Sequence, residues 1–206
     1  MLSPSHQPPR TCFHLVRHGV HGEFGRLLSG RAGAAALTGA GRAQAENVAS
    51  WRGLGELTAI HASPRQRTVE TATIIARALG LEVEIVAALD EIDFGEWNGK
   101  SFAELSDDPM WREWNSSRST SPTPGGETMK AAVERAVRHL EDMAAARPGA
   151  SILCVTHCDI IRGVMAHYLG LSLDNLLRFD VDPGSISTIM AGPEGRCVTR
   201  LNEVPA

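Results

Sequence analysis

Two hydrophobic patterns alternate along this chain, short apolar runs and longer segments with an apolar stripe. The short runs predict strands at residues 12–17, 57–62, 83–87, 151–156, 177–181, 186–191 and 196–201. Between them, apolar residues recur every three or four positions, which predicts helices opening at 37–41 and spanning about 127–146 and 159–169. Another helix is predicted to start at Ser63-Pro64, a typical N-cap and first turn, and to end at Gly80.

Strands that alternate with helices are typical of α/β proteins. Several strand runs are apolar throughout, which indicates burial on both faces of a mainly parallel sheet. We therefore predict a three-layer α/β/α fold. Residues 1–10, rich in Pro and Ser, are predicted to form a disordered tail, and residues 11–206 a single domain. Residues 104–124 read as an irregular insertion that lies over this domain.

Composition narrows the class of partner. The chain has 206 residues, enough to bury a sizeable core, and its net charge of −4 argues against a broad surface for nucleic acid or membrane. No stretch approaches the roughly 18 apolar residues of a membrane span. Four cysteines without C-x-x-C spacing, three of them in predicted strands, indicate buried free thiols and a cytoplasmic location. A homodimer is compatible with the sequence.

Polar residues follow three of the predicted strands directly: Arg17-His18, the helix start at 63–67, and Thr156-His157. In an open α/β sheet, ligands bind in the crevice beyond the carboxyl ends of the strands. We therefore expect these three groups to converge on one rim of the sheet and to form an active site.

The residue types at this rim suit a phosphate monoester. Arg17 and Arg67 offer permanently charged donors for phosphate oxygens, and a neutral imidazole such as that of His18 can attack phosphorus. The leaving group then needs a proton, which a carboxyl with a raised pKa supplies. Glu91 is the favoured carboxyl and Asp93 the reserve. The neighbouring Asp90 and Glu96 could share or replace this role.

Four blocks of the sequence resemble the histidine phosphatase superfamily, the phosphoglycerate mutase-like proteins. They are Leu-Val-Arg-His-Gly at 15–19, Ser-Pro-Arg-Gln-Arg-Thr at 63–68 with Thr71-Ala72, the stretch 89–99, and 155–157 with Ile161-Arg162. The resemblance implies a phosphoglycerate mutase-like fold, no metal and no cofactor. It implies that His18 is the phosphorylated nucleophile and Glu91 the proton donor, and that Arg17, Arg67 and His157 form the phosphate pocket. Ser29 matches a loop that often helps to hold the phosphate.

The resemblance implies a phosphatase acting on a small-molecule phosphate ester through a phosphohistidine. Two alternatives remain open: phosphoglycerate mutase-type transfer, and non-catalytic binding of a phosphorylated ligand. The chain departs from many relatives at Val20, Phe24 and Cys158, which border the substrate. Arg162 is expected to form a structural ion pair. Trp111 and Trp114 are expected to form either a lid over the site or a small core of their own.

Overall fold

The structure is a computed structural model that describes residues 9–206, and within this part of the chain six strands form one sheet. In chain order they are β1 (Thr11–Arg17), β2 (Ala59–Ala62), β3 (Val83–Ile85), β4 (Ser151–Thr156), β5 (Ile186–Gly192) and β6 (Gly195–Glu203). The sheet order is β3-β2-β4-β1-β5-β6. The pairings among β1 to β4 are parallel, and those of β5 with β1 and of β6 with β5 are antiparallel. The predicted mainly parallel sheet is confirmed.

Six helices connect these strands. They are α1 (Gly39–Ser50), α2 (Gln66–Leu79), α3 (Phe102–Ser106), α4 (Pro109–Ser116), α5 (Met129–Ala146) and α6 (Cys158–Leu169). Short 3-10 turns lie at Arg52–Leu54, Ala87–Leu89, Gly95–Trp97 and Leu173–Arg178.

Each face of the sheet carries its own hydrophobic core, which makes the predicted three layers. Successive strand side chains point to opposite faces, so Val16 joins Ile75 of α2 on one face while Leu15 joins Leu140 of α5 on the other. In β4, five of six residues are fully buried, since both faces of this central strand are covered. The apolar run at 151–156 therefore predicted its strand correctly.

Two parts of the prediction were wrong about secondary structure. Residues 104–124 are not simply irregular, because most of α3 and the whole of α4 lie there. Ser101 and Glu104 form a reciprocal capping box at the start of α3, and Asp108 caps α4 before its first-turn Pro109. Residues 177–181 form no strand. The chain there completes the 3-10 turn Leu173–Arg178, which buries Leu176 and exposes Leu177, and then runs on irregularly.

Three smaller expectations also changed. Helix α2 begins at Gln66 with Arg65 as its N-cap rather than Ser63, because the Ser63 hydroxyl bonds other side chains. The strand predicted at 83–87 ends at Ile85 and continues as a 3-10 turn. All four cysteines are free, but Cys154 alone is fully buried and Cys197 is exposed. Of the predicted tail, residues 1–8 lie outside the described part of the chain, and Pro9 and Arg10 are exposed.

Candidate active site

The three predicted strand ends meet at one rim of the sheet. Arg17 ends β1, His157 follows β4, and Ser63 follows β2, and these three strands are neighbours. The His18 N–H donates to the Thr156 carbonyl at 3.1 Å, and the Ser63 N–H donates to the Val155 carbonyl at 3.0 Å. Parallel pairing therefore brings residues that are far apart in sequence side by side.

The His18 imidazole is held in one tautomer. Its Nδ1 lies 2.9 Å from the Gly19 carbonyl oxygen, which can only accept, so Nδ1 carries the proton. Its Nε2 accepts from Arg67 Nε at 3.2 Å and therefore holds a free electron pair. Burial, followed by the charges of Arg67 and Arg17, places the pKa of His18 well below its usual 6.5. The ring is neutral and its nucleophilic nitrogen points toward a guanidinium.

Arg67 also fixes the second histidine, in the opposite tautomer. Its Nη2 donates to the Gly30 carbonyl at 2.8 Å and to His157 Nδ1 at 3.0 Å. Since Nδ1 accepts, the proton of His157 sits on Nε2, which donates to Ser63 Oγ at 2.7 Å. Burial and the charge of Arg67 hold the pKa of His157 well below its usual value as well.

The chain of hydrogen bonds continues from Ser63 to a carboxylate. Ser63 Oγ donates to Asp90 Oδ1 at 3.2 Å, and Asp90 Oδ2 accepts from Arg65 Nη2 at 2.8 Å. Asp90 Oδ1 also accepts from the Glu91 N–H at 2.8 Å. Asp90 is thus an anchor for the rim, and its oxygens are occupied by protein donors.

Glu91 is a buried carboxyl beside the histidines. Its Oε2 lies 3.8 Å from His157 Nδ1. Burial first, then the charge of Asp159, raise the pKa of Glu91 to about 7, while Arg67 acts in the opposite direction. Its backbone carbonyl accepts from Arg31 Nε at 2.8 Å and from Arg135 Nη2 at 3.0 Å. The group is positioned and holds its proton up to near-neutral pH.

The reserve carboxyl of Asp93 has different surroundings. Its side chain is 39% exposed and is absent from the lining of the cavity beside His18. Its Oδ1 accepts from the Gly95 N–H at 3.0 Å and from Asn98 Nδ2 at 2.8 Å, and these bonds lower its pKa. A carboxyl that stays ionised donates no proton, so Glu91 is the better suited of the two.

Arg17 and Ser29 both line this cavity. Arg17 Nη1 donates to the Val181 carbonyl at 2.6 Å, and its guanidinium carbon lies 5.2 Å from the centre of the Phe24 ring. Ser29 Oγ donates to Glu23 Oε2 at 2.7 Å, so its proton is directed to a protein carboxylate. Five of the six predicted site residues therefore line this cavity, although the Ser29 hydroxyl is bonded to Glu23. The sixth, His157, is fully buried, does not line the cavity, and contacts the site through its hydrogen bond with Arg67.

The cavity has a volume of about 350 Å³ and two kinds of wall. His18, Arg67, Arg17 and Glu91 form its polar end. Six apolar side chains also line the cavity: Phe24, Leu27, Leu28, Phe94, Phe102 and Trp111. Trp114 is fully buried and stacks on Trp111 at 5.4 Å. Trp114 thus lies in the core, as one expectation had it, whereas Trp111 forms part of the cavity lining.

Sequence reasoning did not place three further polar residues in the cavity lining. Asp159 lies on the first turn of α6 and Arg162 on the next, and their position just after His157 was a usable signal. Arg162 forms the expected ion pair, with Asp180 at 3.2 Å, but it also lines the cavity. Arg118 reaches the cavity from the segment after α4, whose irregular sequence contains no signal for it.

No helix within residues 9–206 has the combination of length and apolar character that a bilayer crossing requires.

Several known proteins are similar to this chain in sequence. The chain is 34% identical over 149 residues to a bifunctional protein of Mycobacterium tuberculosis, a match that takes in 71% of this chain but 41% of that protein. It therefore spans less than half the length of that relative. A putative phosphoserine phosphatase 2 of Hydrogenobacter thermophilus is 28% identical over 195 residues, 93% of this chain and 95% of that one.

The fold has solved counterparts. The Bacillus stearothermophilus protein YhfR superposes with a TM-score of 0.86 at 26% identity, covering 94% of this chain and 98% of that one. A family model described as histidine phosphatase superfamily (branch 1) matches residues 13–204, which include all four motif blocks and every residue of the rim described above. The chain belongs to the histidine phosphatase superfamily, branch 1.

Proposed function

We propose that the protein is a phosphatase that hydrolyses a small-molecule phosphate ester through a covalent phosphohistidine on His18. One observation carries the proposal. The unprotonated Nε2 of His18 contacts the buried guanidinium of Arg67, in a cavity that also contains a carboxyl able to hold a proton. A nucleophile, an anion-binding group and a proton donor are the three parts that phosphoryl transfer needs.

The phosphate is bound at the polar end of the cavity. Arg17 and Arg67 donate to its oxygens, and His157 lies beside them at the same rim. Arg67 Nε donates to His18 Nε2 at 3.2 Å. A phosphate oxygen takes over this donor when substrate binds, which frees the electron pair of Nε2 for attack. The N–H groups of the first turn of α2 favour the same anion. Ser29 lies at the edge of this subsite.

In the first step, His18 Nε2 attacks phosphorus and a P–N bond forms as the ester P–O bond breaks. Glu91 gives its proton to the leaving oxygen, so the alcohol departs neutral. The Nδ1–H bond to the Gly19 carbonyl, at 2.9 Å, orients the ring and stabilises the positive charge that it acquires.

In the second step, the ionised Glu91 takes a proton from water while the water oxygen attacks phosphorus. The P–N bond breaks, inorganic phosphate leaves, and His18 and Glu91 return to their starting protonation states. The same carboxyl therefore acts first as an acid and then as a base.

The apolar wall indicates the class of substrate. Six apolar side chains line the same cavity as the phosphate-binding arginines, so the alcohol part of the ester is an organic body that removes them from water. A panel of phosphate esters, with phosphoserine included because the Hydrogenobacter relative is named for it, measures this directly. Preference for small polar sugar phosphates alone would contradict an apolar-bodied substrate.

His18→Ala tests the catalytic proposal. We expect turnover to fall by at least about 10³-fold, because the nucleophile is lost. His167→Ala is the matched control, since His167 is an exposed histidine on α6 outside the cavity, and we expect it to retain normal turnover. Normal turnover by His18→Ala would contradict the proposal.

The same assay separates the two alternative functions. A phosphatase releases inorganic phosphate without any added bisphosphorylated primer, whereas a mutase depends on the primer. A non-catalytic binder would retain phosphate esters at the cavity and release no phosphate from any member of the panel.

A further inference from the structure

Asp159 is an acidic residue in a cavity that is proposed to bind a phosphate dianion. It lies on the first turn of α6, two residues after His157, and its side chain lines the same cavity as His18 and Arg67. A carboxylate there repels the substrate phosphate, so its presence calls for a compensating role. The N-terminal end of α6 favours a negative charge at this position.

Arg118 holds Asp159 in a fixed position. Its Nη1 donates to Asp159 Oδ1 at 2.8 Å, and its Nη2 donates to Asn115 Oδ1 at 2.8 Å. The guanidinium carbon lies 4.1 Å from the centre of the Trp114 ring, which is itself fully buried. The side chains of Arg118 and Asp159 are 6% and 16% exposed. Water screens such a pair weakly, so its field reaches nearby groups.

Glu91 is the titrating group in reach of this pair. Charged and titratable groups from the surrounding elements lie near it: Arg17 and His18 at the end of β1, Arg67 from α2, Asp90 from its own loop, His157 after β4, and Cys158 and Asp159 from α6. Both histidines are neutral, and Asp90 is neutralised by Arg65. The two arginines favour the ionised form of Glu91, and Asp159 opposes them.

We propose that Asp159 is a positioning residue that favours the protonated form of Glu91 for donation to the leaving group, and that Arg118 holds Asp159 in place and moderates its effect. Burial is the first cause of the raised pKa of Glu91, and Asp159 adds to it by offsetting the charges of Arg67 and Arg17. Arg118 fixes the carboxylate in place and limits its repulsion of substrate. The effect of Asp159 on the pKa of Glu91 has the direction that this role requires. The inference rests on the proposed function.

The test is a ¹³C NMR titration of the Glu91 carboxyl signal, which is assigned because it disappears from the spectrum of Glu91→Gln. The pH profile of kcat is measured alongside it. Asp159→Asn is expected to lower the midpoint by about one pH unit, since it removes a nearby negative charge. Arg118→Met is expected to raise it, because Asp159 loses its counter-ion, and Arg118→Lys to leave it close to wild type. The limb of the kcat profile that falls at high pH should move in the same directions.

Asp180→Asn is the matched control. This substitution removes the ion-pair partner of Arg162, another arginine that lines the cavity. Because the Asp180 carboxylate is 81% exposed, the Glu91 midpoint should not move. An unmoved midpoint in a folded Asp159→Asn would overturn the inference. So would a change confined to KM for substrates that carry an ammonium group, because Asp159 would then bind substrate directly. Absence of turnover in the wild type would instead contradict the proposed function, and the NMR titration needs no turnover.

Discussion

One residue, Arg67, bonds the unprotonated nitrogen of each site histidine, while the Gly19 carbonyl and Ser63 bond the nitrogens that carry the protons. A guanidinium can only donate, and Arg67 donates to Nε2 of His18 and to Nδ1 of His157. The two rings therefore adopt opposite tautomers, one with a nucleophilic nitrogen toward the cavity and the other with an N–H toward Ser63. Ser63 passes this hydrogen bond on to Asp90. The chemistry of the rim depends on side chains that never touch the substrate.

Ser63→Ala tests this dependence. Loss of the Ser63 hydroxyl leaves the buried Nε2–H of His157 without a partner, so we expect the free energy of unfolding to fall by about 1–3 kcal/mol. We also expect kcat to fall, because the ring of His157 is less well fixed. Urea denaturation and steady-state kinetics measure the two effects.

Ser185→Ala is the control for Ser63→Ala. Ser185 is equally buried, but its hydroxyl has no hydrogen-bond partner among the described residues. We expect it to lose less stability and no activity. Equal losses in the two variants would mean that the bond between His157 and Ser63 has no special weight.

At the scale of elements, the loop after β1 lies directly against the first turn of α1. A Cβ at Gly19 would lie 2.4 Å from the Gly41 carbonyl oxygen, and a Cβ at Gly41 would lie 2.1 Å from the Val20 carbonyl oxygen. Both distances are to backbone, which cannot rotate away. Gly19 also donates its N–H to Thr71 of α2 at 3.1 Å. Contacts with two helices thus hold His18 in place.

Gly41→Ala tests this close approach. Alanine favours a helix over glycine by about 1 kcal/mol, yet here the methyl group must push the loop away, so we expect a net loss of about 1–3 kcal/mol. Gly39→Ala is the matched control in the same helix, because nothing lies within 4 Å of its added Cβ. Urea denaturation measures the stability of both variants. Equal stability of Gly41→Ala and Gly39→Ala would contradict this close packing.

Most elements could be predicted from the sequence where one force dominates. The central strands are apolar on both faces, and α2 and α5 show a clear stripe, so burial alone determines them. The strand predicted at 177–181 was wrong because a 3-10 turn buries Leu176, and the short apolar pattern of such a turn resembles that of a strand. At 104–124 the helix start signals of α3 and α4 were present, but the Ser and Thr around them obscured the pattern.

The candidate site divides in the same way. His18 and His157 could be found because they directly follow strands, and Arg67 because it lies in the first turn of the helix that follows β2; topology brings these strand ends together. Arg118 and Asp159 could not be paired from the sequence, since 41 positions separate them and their contact depends on tertiary packing. The bond from Ser29 to Glu23 likewise depends on how one loop folds back on itself.

At the scale of the whole molecule, the ionisable groups of the site link activity and stability to pH. The pKa of Glu91 is about 7, above its ordinary 4.5, so the buried neutral carboxyl stabilises the fold fully below pH 4.5. This stabilisation is lost as pH rises from 4.5 through 7. The pKa values of His18 and His157 are lowered from 6.5, so their contribution is present above pH 6.5 and is lost as pH falls below it.

Two pH dependences are therefore expected. The formation of the phosphoenzyme should slow as pH rises through about 7, because Glu91 then lacks the proton that it donates. Glu91→Gln should lose this limb and should gain stability relative to wild type between pH 4.5 and 7. Single-turnover kinetics and urea denaturation across this range measure both. A rate of phosphoenzyme formation that increases through pH 7 would contradict the role of Glu91 as the acid.

The most direct measurement is to trap the phosphoenzyme itself. The protein is mixed with a phosphate ester that it turns over, quenched in base within one turnover, and examined by mass spectrometry and ³¹P NMR. A phosphoryl group on Nε2 of His18, stable in base, labile in acid and absent from His18→Ala, is the predicted result. Phosphate release without a phosphoenzyme, or with the label on any other residue, would contradict a phosphohistidine mechanism in this cavity.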